Sequence, residues 1–192
     1  MLCWAHARRK FFEARAIQPE PAHTALAYIG RLYAVEREAK ALSKTSGLRD
    51  ADSRTKRHEA RLELRQQNSL PILDEFHHWL SQPRLDILPK SSVGKALNCL
   101  LPRWKAFMRY SADGALSIDN NLSERMLRPC AIGRKNWLFA GNDRGGAAAT
   151  TVHYTILASA KANGVEPFAY ARDLLTRLPK NPADLEPLLS DQ

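Results

Sequence analysis

The sequence predicts a mainly α-helical protein with a small β remnant. Apolar residues recur every three or four positions through most of residues 20–110, which is typical of helices that bury one face. Polar turns and prolines separate these stretches, and both features end or kink helices. Only two short apolar runs, at 1–5 and around 137–139, favour extended backbone.

The 192-residue chain divides by pattern into five segments. A strand at 1–5 should change to a helix near His6, and a helix at 120–127 should end before Pro129, because proline disfavours helical backbone in the residue before it. The predicted segments are a strand–helix remnant at 1–19, a helical block at 20–112, a helix with a basic, extended and glycine-rich stretch at 113–146, a helical segment at 147–180, and a tail at 181–192.

The helical block at 20–112 is predicted to be an antiparallel hairpin or bundle. Ser91 or Ser92 should cap its last helix, since a serine hydroxyl accepts hydrogen bonds from free N–H groups of the first turn. Pro71 should kink or restart the helix that contains it. The three predicted helices lie at about 21–42, 53–80 and 92–110.

Two features of this block have structural interpretations. Trp79 and Trp104 lie on apolar helical stripes, which favours burial over stacking on bases. One charged stretch mixes both signs at helical spacing, and this pattern favours an ordinary exposed helix surface. Its residues are Arg54, Lys56, Arg57, Glu59, Arg61, Glu63 and Arg65.

The stretch SIDNNLSERMLRP at 117–129 has two interpretations. Asn121 followed three residues later by Glu124 has the spacing of a capping box, in which the carboxylate bonds back to the N–H of the capping residue. Asp119 or Asn120 is the alternative cap. The second interpretation makes the same stretch one corner of an active site.

Cations crowd around Glu124. A carboxylate inside a basic, aromatic-containing strip suits an enzyme that cuts or joins nucleic acid, because cations hold phosphates and a carboxylate holds a divalent ion. A two-metal site needs about three or four carboxylates, so Glu124 alone is not enough. The surrounding residues are Arg125, Arg128, Arg134, Lys135, Trp137 and Arg144.

Three motifs, in this order, resemble the C-terminal half of DDE-type bacterial insertion-sequence transposases, and more narrowly the insertion-sequence-sixty-six-type transposases. They are CWAHARRKF at 3–11, IDNNLSERMLRP at 118–129 and GRKNWLFAGNDRGG at 133–146. Residues 160–179 are also similar to the C-terminal segment of that family. The resemblance extends over almost the whole chain.

The resemblance implies the C-terminal portion of a ribonuclease-H-like catalytic domain, in which the block at 20–112 is a helical insertion. Glu124 matches the third metal-binding acid of the family, so Mg²⁺ is the implied cofactor and Glu124 the implied catalytic and metal-binding residue. DNA, at the ends of an insertion element, is the implied partner. The implied DNA-binding residues are Arg8, Arg9, Arg125, Arg128, Arg134, Lys135, Trp137 and Arg144.

Both catalytic aspartates of the family lie upstream of the segment matched by 3–11. We therefore expect a truncated transposase in which Glu124 is the sole surviving metal ligand. The local aspartates lie in polar turns or on charged helix faces, and none follows an apolar strand that could aim it at Glu124. The parent family performs metal-dependent DNA cleavage and strand transfer, and we expect this chain alone to do neither.

Two rival functions stay open from the sequence. The net charge of +9 favours a polyanionic partner, so the chain could be a non-catalytic DNA-binding, regulatory or oligomerisation module that interferes with a full-length transposase. A helical protein-interaction domain with incidental charge is the other alternative. Salt-sensitive DNA binding discriminates between these two classes.

Cysteine and histidine placement excludes several other classes. The three cysteines and six histidines are scattered without metal-ligand spacing, and an odd cysteine number implies no disulfide framework. A reducing bacterial cytoplasm fits this usage. No apolar run approaches the ~20 residues of a membrane span, and we expect no membrane partner.

Overall fold

The computed structural model describes residues 3–45, 51–83, 87–136, 142–147, 152–180, 184 and 186–189. The chain forms two compact units, Met1–Asn121 and Leu122–Gln192. Helices make up all the regular structure of the described residues, which contain no strand. The predicted mainly α class is therefore confirmed. Among the described helices, none combines the length and the apolar character that crossing a membrane requires.

The Met1–Asn121 unit contains six α-helices among its described residues. They are α1 (Trp4–Ala14), α2 (Pro19–Thr45), α3 (Ala51–Leu64), α4 (Leu70–Ser81), α5 (Ser92–Leu100) and α6 (Trp104–Met108). A π-helical turn at Arg65–Ser69 joins α3 to α4, and 3-10 turns at Leu101–Arg103 and Arg109–Ala112 flank α6. The next helix, α7 (Asn121–Asn136), begins at the boundary between the two units.

Three shorter α-helices follow among the described residues of the Leu122–Gln192 unit. They are α8 (Asp143–Ala147), α9 (Tyr154–Ala162) and α10 (Pro167–Arg177). The predicted stop at Asn163 and Gly164 is confirmed, since α9 ends there and Gly164 has a φ of 75°, which favours glycine. Glu166 caps α10 by accepting hydrogen bonds from the N–H groups of Phe168 and Ala169 at 3.1 and 2.6 Å.

The predicted strand at the start of the chain is wrong over the described residues 3–5. Helix α1 begins at Trp4, and its buried residues Trp4, Ala7, Phe11 and Ala14 repeat at helical spacing. The short apolar run is therefore the first turn of a helix that continues into the charged stretch. The second predicted extended piece, at 137–139, lies outside the described residues.

Trp4 anchors the core of the first unit. Its ring is fully buried and lies 5.0 Å from that of Phe107 and 5.9 Å from that of Trp104, both in edge-on contacts. The indole N–H donates to the backbone carbonyl of Phe107 at 3.1 Å, so its polar atom is satisfied. Trp104 is 7% exposed, which confirms its predicted place in the core.

The local signals in the helical block are largely confirmed. Ser91 is the N-cap of α5, and its hydroxyl accepts a hydrogen bond from the N–H of Gly94 at 3.1 Å. Pro71 lies at the start of α4, where the missing N–H costs nothing, and so restarts the helix after the π turn. Pro102 interrupts the next helix with a 3-10 turn.

Arg65 departs most from its prediction, because its side chain is fully buried instead of exposed. Its Nε and one terminal nitrogen donate to the two carboxylate oxygens of Glu36 at 2.7 and 2.8 Å. The remaining N–H groups donate to the carbonyls of Tyr110, Asp113 and Leu116 at 2.7, 2.8 and 2.9 Å. Every N–H of the guanidinium therefore has an acceptor.

This contact joins three parts of the unit. Glu36 belongs to α2, Arg65 begins the π turn, and the three carbonyls belong to the segment that follows α6. The guanidinium also stacks over the Tyr110 ring at 4.9 Å, and burial raises the pKa of Tyr110 to about 12. We call Arg65, Glu36 and the three carbonyls the Arg65 cluster.

We expect Arg65→Met to lower the free energy of unfolding by about 3–5 kcal/mol, because it leaves the Glu36 carboxylate and three carbonyls without their buried donor. Urea unfolding followed by tryptophan fluorescence measures this loss. The matched control is Arg31→Met, which removes a half-exposed ion pair to Glu75 at 2.7 Å. That control should cost less than about 1 kcal/mol. Equal losses in the two variants would contradict the assigned role of the cluster.

Candidate functional site

The candidate site is the start of α7, where Glu124 lies exposed in the first turn. The chain reaches this helix through residues 113–120, which form no regular structure. The first residue of α7, Asn121, is therefore reached through that segment. Two sets of contacts hold it, one from the Arg65 cluster and one around Asp119.

The segment lies tightly against the helical block at Gly114. A side chain at this position would collide with the backbone carbonyl of His58, so the close approach requires glycine. Arg61 donates to the Gly114 carbonyl at 3.2 Å. Burial, and next the nearby charge of Arg65, lower the pKa of Arg61. These contacts add to the Arg65 bonds at Asp113 and Leu116 and leave the segment little freedom.

Asp119 caps α7. Its Oδ1 accepts a hydrogen bond from the N–H of Asn121 at 3.1 Å, and its Oδ2 accepts from the Asn121 side-chain amide at 3.0 Å. Asn121 is thus the first residue of α7 and not its cap, so the capping box with Asn121 is corrected in favour of the alternative cap, Asp119. The carboxylate at this end of the helix also complements the helix dipole.

Tyr33 of α2 completes this arrangement. Its hydroxyl donates to Oδ2 of Asp119 at 2.8 Å. Burial, and next the bond to Asp119, raise the pKa of Tyr33 well above its ordinary value, so the phenol stays protonated and continues to donate. The sequence did not predict this hydrogen bond. Tyr33 lies 86 positions from Asp119, so no local sequence pattern connects the two residues.

The structure brings part of the predicted basic set together on α7. Glu124 and Arg128 stand four residues apart and therefore share one face of the helix, with Arg125 about 100° around from Glu124. All three side chains are exposed. The guanidiniums can neutralise the phosphates of a DNA backbone, and this allows the neighbouring carboxylate to approach that backbone.

Helix α7 is longer than predicted. It continues through Pro129 to Asn136 instead of ending at Arg128. Pro129 lacks the N–H that would bond the Arg125 carbonyl, but both residues are exposed, so water can take the place of that donor. The extension places Arg134 and Lys135 on the same helix, although their side chains are not among those described.

The remaining predicted DNA contacts belong to other helices or lie outside the described residues. Arg144 is exposed in α8, where the expected glycine-rich turn is helical and Asn142 caps it by accepting from the N–H of Gly145 at 2.8 Å. Trp137 lies outside the described residues. Arg8 and Arg9 are exposed on α1 in the first unit.

The implied magnesium ion can be tested against the donors present. Glu124 offers one accessible carboxylate. Within the described ranges, no three histidine, cysteine or acidic side chains come together as a metal ion requires. The carboxylate of Asp119 already accepts hydrogen bonds from Tyr33 and Asn121. The described residues therefore do not build a complete magnesium site, and Glu124 fits only as a single contributor to one.

Comparison with known proteins identifies the class. Residues 1–148 match the transposase IS66 family, and residues 155–190 match the IS66 C-terminal element. The chain therefore belongs to the transposase IS66 family. This confirms the resemblance carried by the three sequence motifs.

Proteins of Sinorhizobium fredii are similar to this chain along most of its length. The uncharacterized protein y4hP is 34% identical over 193 residues, covering 94% of this chain and 32% of that protein. The uncharacterized protein y4qI is 34% identical over 177 residues, covering 92% of this chain and 30% of that protein. The chain thus spans about a third of the length of these relatives. No solved structure matches it.

We expect Asp119→Ala to destabilise the protein by about 1–2 kcal/mol, because α7 loses its cap and the Tyr33 hydroxyl loses its acceptor. Asp119→Asn is the matched control, since asparagine caps about as well as aspartate. Asp119→Asn should lower the free energy of unfolding by only about a few tenths of a kcal/mol, because the helix keeps a capping side chain. Urea unfolding of both variants measures the difference. A harmless Asp119→Ala would show that the cap does not hold the start of α7.

Proposed function

We propose that this chain is the glutamate-bearing part of a DDE-type, ribonuclease-H-like transposase. In this proposal it binds DNA through its exposed arginines and contributes Glu124 to the DNA-processing site. One observation carries the proposal: Glu124 and Arg128 share a face at the start of α7, with Arg125 beside them. Membership of the transposase IS66 family supports it.

The proposed reaction of the whole protein is polynucleotidyl transfer, in which water or a DNA 3′-hydroxyl attacks a phosphodiester. A bound magnesium ion would supply charge stabilisation at the attacking and leaving oxygens. The residues of this chain would do two things. Arg125 and Arg128 would neutralise and position phosphates, and Glu124 would offer one carboxylate ligand.

We also propose that the chain by itself is catalytically inactive. The described residues supply one accessible carboxylate at the site and no group of three ligands, whereas metal-assisted phosphoryl transfer needs about three or four carboxylates. The relatives are about three times as long as the matched region, so further carboxylates have room elsewhere in proteins of that length. We place the site of action at insertion-element DNA in the bacterial cytoplasm.

We expect the purified 192-residue chain to bind duplex DNA in a salt-sensitive manner and to leave it uncut in magnesium. Gel assays of nicking and strand transfer measure activity, and fluorescence anisotropy measures binding. Glu124→Ala should leave binding unchanged or slightly tighter, because it removes a negative charge from a basic surface. Glu38→Ala, also exposed, is the matched control for the change in charge.

One result would overturn the predicted inactivity. Robust magnesium-dependent strand transfer by the chain, lost in Glu124→Ala and kept in Glu38→Ala, would show a complete catalytic site. Absence of DNA binding at low salt would instead overturn the DNA-binding part of the proposal and favour a protein-interaction domain.

A non-catalytic binding module is the second candidate function. It is favoured by the compactness of the Met1–Asn121 unit, which buries Trp4 and the Arg65 cluster in its interior. Such a unit could hold DNA or oligomerise with a full-length transposase without chemistry of its own. Its distinguishing result is inhibition of transposition in trans by a chain that carries Glu124→Ala, because this function does not use the glutamate.

A further inference from the structure

An open groove of about 410 Å³ lies between α1 and α2 beside the first residue of α7. Ala5 and Arg8 line it from α1, Gly30, Tyr33 and Arg37 line it from α2, and Asn121 lies at its edge. All six residues belong to the Met1–Asn121 unit. The volume lies within the range of clefts that bind small ligands or parts of larger ones.

The groove exists because two of its residues are small. Ala5 and Gly30 face it from opposite helices and leave space that larger side chains would fill. A Cβ added at Gly30 would meet nothing within 4 Å, so no other group occupies that space. A glycine in the middle of a helix costs about 0.5–1 kcal/mol relative to alanine, and here no packing contact compensates for that cost.

The charges of the groove come from Arg8 and Arg37. Both guanidiniums are exposed, and neither forms an ion pair with a carboxylate in the part of the chain that the structure describes. Arg8 lies 5.9 Å from the Phe12 ring one turn further along α1. The groove thus carries one guanidinium on each of its two helices with no ion-pair partner among the described residues, and these guanidiniums make it positively charged.

The carboxylate of Asp119, which is bonded to two residues of the lining, offsets only one of these two positive charges. Asp119 accepts hydrogen bonds from the Tyr33 hydroxyl and from two nitrogens of Asn121, so its oxygens point into contacts of the fold. Glu36 is likewise held by Arg65. Tyr33 keeps its proton, since burial and the bond to Asp119 raise its pKa, and adds no negative charge.

These features favour a phosphodiester as the ligand. The planar fork of arginine matches the oxygens of phosphate, and two forks on opposite walls can hold one phosphate or two successive ones. Among the described lining residues, the half-buried Tyr33 supplies the aromatic ring and Asn121 the side-chain amide, and both are bonded to Asp119. The arginines are therefore the lining groups left to contact a ligand, and they match phosphate better than base edges. Contacts of this kind position DNA without reading its sequence.

We propose that the groove between α1 and α2 binds phosphates of the DNA backbone through Arg8 and Arg37, next to the start of the helix that carries Glu124. The inference rests on the proposed DNA-binding function and adds a defined site to it. Arg37 is not one of the DNA-binding residues that the sequence motifs implied. Its role follows only from the packing of α2 against α1.

The first test is the salt dependence of DNA binding by the 192-residue chain, measured by anisotropy with a labelled duplex of mixed sequence between about 50 and 200 mM salt. The double variant Arg8→Gln/Arg37→Gln should weaken binding about tenfold or more at low salt. It should also reduce the slope of log affinity against log salt by about 1.8, since each lost phosphate contact accounts for about 0.9.

The matched control is a single exposed arginine away from the groove. Arg109→Gln removes one charge from the turn Arg109–Ala112 and should change the slope by less than either Arg8→Gln or Arg37→Gln. The three substituted positions, Arg8, Arg37 and Arg109, are all exposed, and urea unfolding of each variant should match that of the parent chain. Equal slopes for Arg109→Gln and the groove variants would overturn the proposed site.

A second test uses the shape of the groove at constant charge. Gly30→Leu should fill the space and weaken DNA binding several-fold, whereas Gly30→Ala should leave binding unchanged and stabilise α2. Unchanged binding in Gly30→Leu would contradict occupation of the groove. Competition with inorganic phosphate at fixed ionic strength forms the third arm. Displacement of DNA at low millimolar phosphate, lost in the double variant, would assign the groove to the free anion instead.

Failure of this inference is distinguishable from failure of the proposed function. If the parent chain binds no DNA at low salt, the DNA-binding function itself is wrong. If the parent chain binds DNA and the groove variants bind it equally well, only the groove assignment is wrong.

Discussion

The buried guanidinium of Arg65 holds together the Met1–Asn121 unit and the segment that leads to α7. A fully buried charge is tolerated only when it is paired and hydrogen-bonded, and all its N–H groups find acceptors on Glu36, Tyr110, Asp113 and Leu116. Because one ion must satisfy all these acceptors together, α2, the π turn and the segment after α6 are fixed relative to one another. That segment leads to Asp119 and then to α7.

The π turn is part of this constraint. A single π-helical turn inserts a residue into an otherwise α-helical path and shifts the direction of the side chains that follow. At Arg65–Ser69 it separates the charged face of α3 from the apolar face of α4, which buries Ile72, Leu73 and Phe76. The same chain therefore presents a polar surface before the turn and a core surface after it.

Local sequence signals predicted much of the fold. The serine cap of α5, the restart at Pro71 and the stop after α9 each depend on residues within one helical turn, where propensity and capping act. The burial of Trp104 was predicted from the spacing of apolar residues along its helix. The segment at 3–5 was misread because a few apolar residues do not distinguish a strand from the first turn of a helix.

The features that position the candidate site were less predictable because they depend on distant parts of the chain. Arg65 sits in a mixed-charge helix, and its burial depends on Glu36, 29 positions away, and on carbonyls 45 to 51 positions away. Tyr33 and Arg37 contact the groove and the start of α7 only because α2 packs beside α1, and such packing is not visible in the local sequence. Glu124, by contrast, was predicted as a site residue from its motif, and its helix begins at Asn121, one residue after the predicted start.

Amide hydrogen exchange of the Arg65→Lys variant tests most directly the claim that Arg65 fixes the approach to α7. Lysine keeps the charge but cannot serve Glu36 and three carbonyls together. We expect faster exchange of the Ala115, Leu116 and Asn121 amides, whose acceptors lie at Asp113 and Asp119, with no change in α9 and α10. Unchanged exchange at those three amides would contradict this claim.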